Sequence, residues 1–527
     1  MKPWHQNGNI SYKFYRQLYP TSEEPPKFYG LPKVHKPDLP LRPIVSGIGS
    51  VSEGCAKHLS NVLNCVKGKN PHSIRNSQDF AQKTTELEVP PANMMVSFDV
   101  TALFTSIPID YAIQAVKRKL EADPSWQQLT ELSLSQILTL LELCLSTTYF
   151  IYKGQFYRQK FGAPMGSPIS PGVADLSMEF FEEEALRVCP RHLQPRIWLR
   201  YVDDTFTILH EYAIEEFTSF LNQQNQHIQF TRELSTDGSL PFLDVCVHVE
   251  DDATLKTTVY RKPTHTDQYL NWKSNHPLEH KRSVVRTLYN RASSHCTKPE
   301  DEVKEKSHVQ QVLKANGYQE WAFNIPLRKP APLVTQPATQ LQPRSRQPPI
   351  PLPYVQGLSE ELKRIYGEHG VQVYHKPINT LKSILVHPKD KTSLANKCGA
   401  IYNMPCDTCE GFYIGETERS LGTRYKEHTR THPGSAVREH MANTGHSFSF
   451  DDLTILGREP GFNARKIKEA LAIYKHRPTL NRDQGVEVPP IMLSLLNTPP
   501  PPAASNIPTA RGSALTVNGT RYRTNSL

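Results

Sequence analysis

The stretch Ile197-Trp198-Leu199-Arg200-Tyr201-Val202-Asp203-Asp204-Thr205-Phe206-Thr207-Ile208-Leu209 sets two adjacent acids between two apolar runs rich in β-formers. The pattern predicts a hairpin with both carboxylates at its turn. Two like charges at the tip of a hydrophobic hairpin repel each other and resist burial unless a cation lies beside them. Magnesium, shared with phosphate oxygens, is the natural cation. An Asp-Asp turn by itself equally describes a solvated loop, so the rest of the chain has to decide.

A third acid comes from Met94 to Phe104, which alternates like a strand and puts Asp99 near its end, facing away from Phe98 and Val100. Paired metals about 3.5–4 Å apart, as used in phosphoryl transfer, need carboxylates from separate elements. Asp99, Asp203 and Asp204 supply them. Upstream, Lys33, His35, Lys36 and Arg42 sit among prolines in a stiff basic loop suited to a triphosphate. Between the acids, Leu132 to Thr147 has the spacing of a packing helix. Phe161 to Pro171, with Gly166 at its centre, is a Gly/Pro/Ser loop that lets backbone approach a nucleotide closely and opens a helix over Val173 to Val188.

The chain has 527 residues, enough for several cores, and a net charge of +9 that suits a polyanionic partner. Its N-terminus has no apolar signal core, and the greasiest region, Leu132 to Tyr152, is interrupted by polar residues, so no membrane segment is expected. Nine cysteines, mostly isolated, fit a reducing compartment better than a disulfide framework.

Tyr260 to Trp272, followed by Lys281, Arg282, Arg286 and Arg291, interleaves basic and aromatic residues without a matching number of acids, the composition of a nucleic-acid grip. Helical patterning continues from Leu278 to about Lys314. Residues 326–353 are crowded with proline and glutamine and read as a semi-rigid linker. One helix, Leu358 to Tyr366, is expected in the connector that follows. Beyond Gln484 the proline-rich sequence predicts a disordered tail.

Four stretches in order resemble the reverse transcriptases of Penelope-like retroelements: Lys33 to Ser46, Ser97-Phe-Asp-Val-Thr-Ala-Leu-Phe-Thr-Ser-Ile-Pro108, Gly162-Ala-Pro-Met-Gly-Ser-Pro-Ile-Ser-Pro171 and Arg200-Tyr-Val-Asp-Asp204. That family is in turn similar to telomerase reverse transcriptases. The resemblance implies an α+β multidomain chain with a right-hand polymerase: fingers and palm over 1–277 and a helical thumb over 278–325. It implies Mg2+ (or Mn2+) on Asp99, Asp203 and Asp204, and nucleotide contacts from Lys33, Lys36, Arg42 and Gly166. Phe104, five residues after Asp99, would lie beneath the incoming sugar and select deoxynucleotides, unless it is simply a core phenylalanine. Because fingers sequence begins so close to Met1, an N-terminal portion common in such enzymes is expected to be missing.

After the linker (326–357) and the connector (358–396), residues 397–485 resemble a small α/β GIY-YIG endonuclease, followed by the tail over 486–527. Tyr413-Ile-Gly415 matches the second half of that signature, whereas the first half reads Ala-Ile-Tyr402, lacking a glycine but keeping the tyrosine. By position, Tyr402 would help activate water, Tyr413 would orient the phosphate, Arg424 would stabilise developing charge, Glu469 would hold Mg2+, and Asn481 would support the site. Cys406 and Cys409, with His440 and His446, suit a structural Zn2+ and resemble the zinc-binding insertion of Penelope-type nucleases; Cys398 and His428 are alternative ligands. The implied function is RNA-directed synthesis of DNA from deoxynucleoside triphosphates on an RNA template, primed at a nicked DNA target in the nucleus. A vestigial nuclease and a non-catalytic nucleic-acid-binding derivative are the alternatives.

Overall fold

The computed structural model describes residues 1–493 except 21–23, 35–37, 325–348, 378–379, 381–383, 386, 432–433, 484 and 491–492. Lys36, most of the proline-rich linker and nearly all of the tail therefore lie outside the described residues. Among the described residues, no helix is long and apolar enough to cross a membrane. The chain forms two compact units, Met1–Thr392 and Ser393–Leu527.

In the first unit, β1 (Lys27–Pro32) and β2 (Leu41–Ser46) form an antiparallel hairpin. β3 (Asn93–Val100) carries Asp99. It stops short of the expected extent because Ala102 takes a left-handed conformation (φ 52°), and the chain turns into the short helix Leu103–Ser106 that bears Phe104. The packing helix spans Leu134–Ser146, with a capping box between Ser133 and Gln136. β4 (Tyr149–Tyr152) and β5 (Gln155–Arg158) form a hairpin through Lys153 and Gly154, both with positive φ, the two-residue turn whose twist suits paired strands. β4 runs parallel to β1, giving the sheet order β2-β1-β4-β5.

β6 (Ile197–Tyr201) and β7 (Asp204–His210) form the expected acidic hairpin, and with β3 and β8 (Phe230–Leu234) they build an antiparallel sheet in the order β6-β7-β3-β8. The helix preceding the hairpin begins at Ser170 rather than Val173, because Pro171 falls in its first turn, where a missing N–H costs nothing. Alternation puts Phe98 and Val100 in the principal core with Trp198, Phe217 and Phe230, while Asp99 points to solvent. A second core lies under β9 (Ser239–Phe242), β10 (Val245–Val249) and β11 (Leu255–Val259).

The expected thumb helix is two helices, Leu278–His295 and Pro299–Ala315; the second starts with proline, which has no N–H to continue the first. They share a small core of Val285, Leu288, Val309, Leu313, Tyr318 and Phe323. Part of the expected linker is structured: β12 (Ile350–Pro353) pairs in parallel with β13 (Val373–Lys376), and the helix Leu358–Glu368 lies between them in sequence. The connector is thus a strand–helix–strand unit rather than a lone helix.

The second unit has a three-stranded antiparallel sheet in which β14 (Ala400–Pro405) lies between β15 (Phe412–Thr417) and β16 (Thr454–Arg458). Helices Leu421–Lys426, Ala436–Thr444 and Phe462–His476 accompany it. Glu427–Thr431 forms a π-turn, a widened helical turn often found at functional sites.

Candidate active sites and metal centre

The β3–β7 register sets Asp99 directly opposite Asp204, and Asp203 occupies the adjoining turn. Three carboxylates from two neighbouring strands therefore converge at one end of the sheet. Burial, then the charges of Asp203 and Asp99, raise the Asp204 carboxyl to about 6. Asp203 is raised as well, by burial, against the opposing pull of Arg42, Arg200 and Lys33. The basic hairpin β1–β2 is thus close enough to act on the carboxylates through Arg42 and Lys33.

Gly166 holds its loop against the β1–β2 hairpin. Its φ is +110°, and a Cβ there would stand 2.5 Å from the Val45 carbonyl oxygen, so only glycine lets the loop lie against β2. The Met165 carbonyl accepts from Val45 N at 2.7 Å, and Ala163 N donates to the Phe104 carbonyl at 2.6 Å. Phe104 is partly buried against the principal core.

Arg200 was not assigned a role from sequence. It is 1% exposed and is held from the helix Ser170–Val188: Nε donates to Glu182 at 2.7 Å and Nη1 to Asp175 at 2.8 Å. Nη1 also donates to the Val202 carbonyl at 2.9 Å. Val202 has φ 57°, costly for a β-branched residue, so the guanidinium stabilises the backbone that presents Asp203. Trp198 Nε1 donates to the same Glu182 oxygen at 2.6 Å, which fixes that carboxylate in turn.

In the second unit, β14 and β15 carry Tyr402 and Tyr413, with Tyr402 opposite Gly415 in register. A Cβ on Gly415 would meet the Tyr402 hydroxyl oxygen at 2.6 Å, which explains why this position of Tyr413-Ile-Gly415 takes glycine. Arg424 Nε donates to the Tyr402 hydroxyl at 3.3 Å, and His428 Nε2 lies 2.7 Å from it. Arg424 can only donate, so Tyr402 accepts from it, and His428 bridges the Tyr402 hydroxyl and Ser435 Oγ, which lies 2.7 Å from its Nδ1. Burial pushes the Tyr402 phenol far above its ordinary range, with Arg424 opposing, so it sits here as a neutral phenol.

Tyr413, Arg424, His428, Asn481 and Asp483 line a cavity of about 320 Å3. Tyr402 is 1% exposed and lies behind this surface. Asn481 clamps the backbone next to Tyr413, accepting from Ile414 N at 2.9 Å and donating to Ile414 O at 2.8 Å. Glu469, on the helix Phe462–His476, is raised by burial and lies 3.2 Å from Lys466, which also meets Glu416 at 3.0 Å. A metal on Glu469 would have to take the place of that ammonium.

The donor atoms of Cys406, Cys409, His440 and His446 all lie within 4.8 Å of one another. Cys406 Sγ to His446 Nδ1 and Cys409 Sγ to His440 Nε2 are each 3.6 Å, and the two imidazole nitrogens are 3.2 Å apart. Bonds of about 2.0–2.3 Å at tetrahedral angles place neighbouring donors roughly 3.3–3.8 Å apart, so the set fits zinc. Neither alternative ligand belongs to it. His428 is engaged by Tyr402 and Ser435, and Cys398 Sγ donates to the Asn396 carbonyl.

The basic stretch after β11 is less free than its composition implies. Arg261 pairs with Glu305, and Arg291 lies 3.4 Å from Asp244. Lys281 sits over the Trp272 ring at 5.4 Å. The acids that the local sequence lacks arrive from elsewhere in the fold.

A family profile described as the animal helix-turn-helix domain matches residues 268–325, the stretch containing the two helices Leu278–His295 and Pro299–Ala315. No curated protein matches the chain. Among solved structures, telomerase from Candida albicans in complex with a TWJ fragment of telomeric RNA superposes with TM-score 0.40 and 14% identity, covering 60% of this chain and 57% of that one. Apo telomerase from Candida tropicalis gives TM-score 0.36 and 11% identity over 57% of each chain. Sicinivirus 3Dpol RNA-dependent RNA polymerase gives TM-score 0.36 and 13% identity, over 58% of this chain and 67% of that one. The chain thus spans little more than half of the Candida albicans telomerase, and a likeness at this level fixes neither activity nor substrate.

Proposed function

We propose that the chain is an RNA-directed DNA polymerase of a Penelope-like retroelement, joined to a GIY-YIG-type endonuclease that nicks DNA to expose the primer. The observation that carries the first half is the convergence of Asp99, Asp203 and Asp204 at one sheet end, within electrostatic reach of Arg42 and Lys33. Three crowded carboxylates, one of them raised to about 6, form an all-oxygen donor set that suits Mg2+ or Mn2+. Such ions supply positive charge to the attacking and leaving oxygens of phosphoryl transfer. Around them, Lys33 and Arg42 meet the triphosphate, with Lys36 assigned to the same role; the loop at Gly166 sets backbone against the nascent pair, and Phe104 excludes a 2′-hydroxyl.

In the second unit Tyr413 and Arg424 face the cavity and take the phosphodiester. The Tyr402–His428–Ser435 chain accepts a proton from the attacking water, Glu469 holds the metal, and Asn481 keeps β15 in place. The four cysteine and histidine ligands hold zinc as a structural clip. By the same family resemblance the protein works in the nucleus.

Primer extension on RNA and DNA templates with deoxynucleotides, using Asp203→Ala as control, tests the polymerase. Incorporation by the wild type and none by the variant is expected; incorporation by both would overturn it. Nicking of supercoiled DNA by the same protein tests the nuclease. Polymerisation without nicking would leave a vestigial second site.

A further inference from the structure

The sheet β2-β1-β4-β5 has two unlike faces. On the side of Lys27, Tyr29 and Ser46, chain from the connector covers the β1–β2 part: Lys389 lies 5.4 Å over the Tyr29 ring and donates to Ser46 Oγ at 2.8 Å, and Lys27 donates to Thr392. On the other side, register and alternation place Phe28, Phe150, Tyr152 and Tyr157 together. Phe28 and Phe150 stack at 5.2 Å and 27°, and Phe150 and Tyr157 at 5.7 Å and 16°. Tyr152 closes on Phe28 edge-on at 5.4 Å. These rings belong to none of the core clusters. The row ends on the edge strand β5, where Tyr157 is 45% exposed.

Within the β4–β5 hairpin itself the side-chain charge has one sign, and one carboxylate from the connector, Asp390, reaches its turn and accepts from Lys153 N at 2.5 Å. Residues 149–160 carry Lys153, Arg158 and Lys160 and no acid. Among the described residues none of these three side chains is in an ion pair, and Lys153 lies 5.5 Å over the Tyr152 ring. A row of stacked rings open at one end, beside cations whose side chains form no ion pair among the described residues, matches a polyanion that carries its own flat aromatic groups. We propose that this face is a stacking platform for unpaired nucleic acid, distinct from the carboxylate site: a base continues the stack on Tyr157 while Lys153 and Lys160 meet the phosphates, Arg158 being turned by alternation to the opposite face. This goes beyond the polymerase reading and does not depend on it, since it concerns binding without metal or nucleotide.

The test uses the full chain in chelator with single-stranded RNA bearing photoactivatable uridines, the matching single-stranded DNA, and the RNA as a duplex. Crosslinks to the peptide containing Phe150 to Arg158 are expected with both single strands and not with the duplex, whose bases are already stacked. Stronger crosslinking by RNA would assign the site to RNA, and equal crosslinking to either strand. Tyr157→Ala should remove these crosslinks and weaken that binding about tenfold or more, whereas Tyr157→Phe, which keeps the ring, should behave as wild type. Because Tyr157 is largely exposed, unchanged melting of the alanine variant would show that folding is intact. Unaltered crosslinking in Tyr157→Ala, equal crosslinking by duplex, or self-association of the chain that Tyr157→Ala abolishes without touching strand binding would each overturn the proposal.

Discussion

The Arg200 guanidinium donates to the Val202 carbonyl at 2.9 Å, so a charge locked between Asp175 and Glu182 holds the strained residue of the carboxylate turn. Removing one partner from such a buried set costs about 3–5 kcal/mol. Arg200→Met should therefore lower the Tm of the first unit. Arg200→Lys keeps the charge but not the three-way donor geometry. It should fold, yet need more Mg2+ for half-maximal incorporation and run about tenfold slower at saturation. An unchanged Mg2+ requirement in the lysine variant would mean that Arg200 only fills the core.

Asp204 gives a pH signature in the metal-free protein. Its carboxyl rises from 3.8 to about 6 on folding. An acid raised in the folded state contributes stability that is complete below the unfolded pKa and is lost as pH rises through the folded one. In chelator, then, the wild type should gain stability relative to Asp204→Asn as pH falls from 7 to 4. At pH 7 the asparagine variant should be the more stable by about 1–2 kcal/mol after allowance for partial solvent screening. Identical pH–stability curves for the two would remove the like-charge crowding.

Zinc removal should act on one unit. Cys406→Ser with Cys409→Ser, or a strong chelator, should lower the melting transition of the second unit and abolish nicking, because structural zinc contributes folding free energy locally. Pre-primed synthesis should survive. Metal analysis of the purified chain showing no zinc would refute the four-ligand site.

Tyr402 and His428 should act as a pair in nicking. Tyr402→Phe removes the hydroxyl and His428→Ala the imidazole that meets it, and each should slow nicking by about 10²–10⁴-fold. The double variant should be little worse than either alone, since both interrupt one chain. Fully multiplicative losses would show two independent roles.

Glu469→Gln should lose roughly a thousandfold or more in nicking rate and leave extension of a supplied primer intact. Loss of both activities would point to a folding defect, and nicking at the wild-type rate would show that Glu469 holds no metal.

Much of this was legible in the chain because strand and helix periodicity is local. Alternation around Phe98 and Val100 already turned Asp99 to the solvent side, and the two apolar runs around Asp203 and Asp204 already required a hairpin. The pairing of the tyrosine strands and the Cys406–Cys409 spacing were visible in the same way. Short-range order also failed in places. A proline at 299 broke the expected thumb helix, and a left-handed Ala102 ended β3 early. What the sequence could not determine was which faces meet across long separations. Arg200 lies 18 residues from Glu182 and 25 from Asp175, and only the packing of a helix on the sheet makes those carboxylates its partners. His428 reaches Tyr402 rather than zinc because its π-turn sits against β14 and β15. Local propensity sets the face on which a side chain stands; burial of the remaining apolar surface decides what that face touches, and so which charges and hydrogen bonds complete a site.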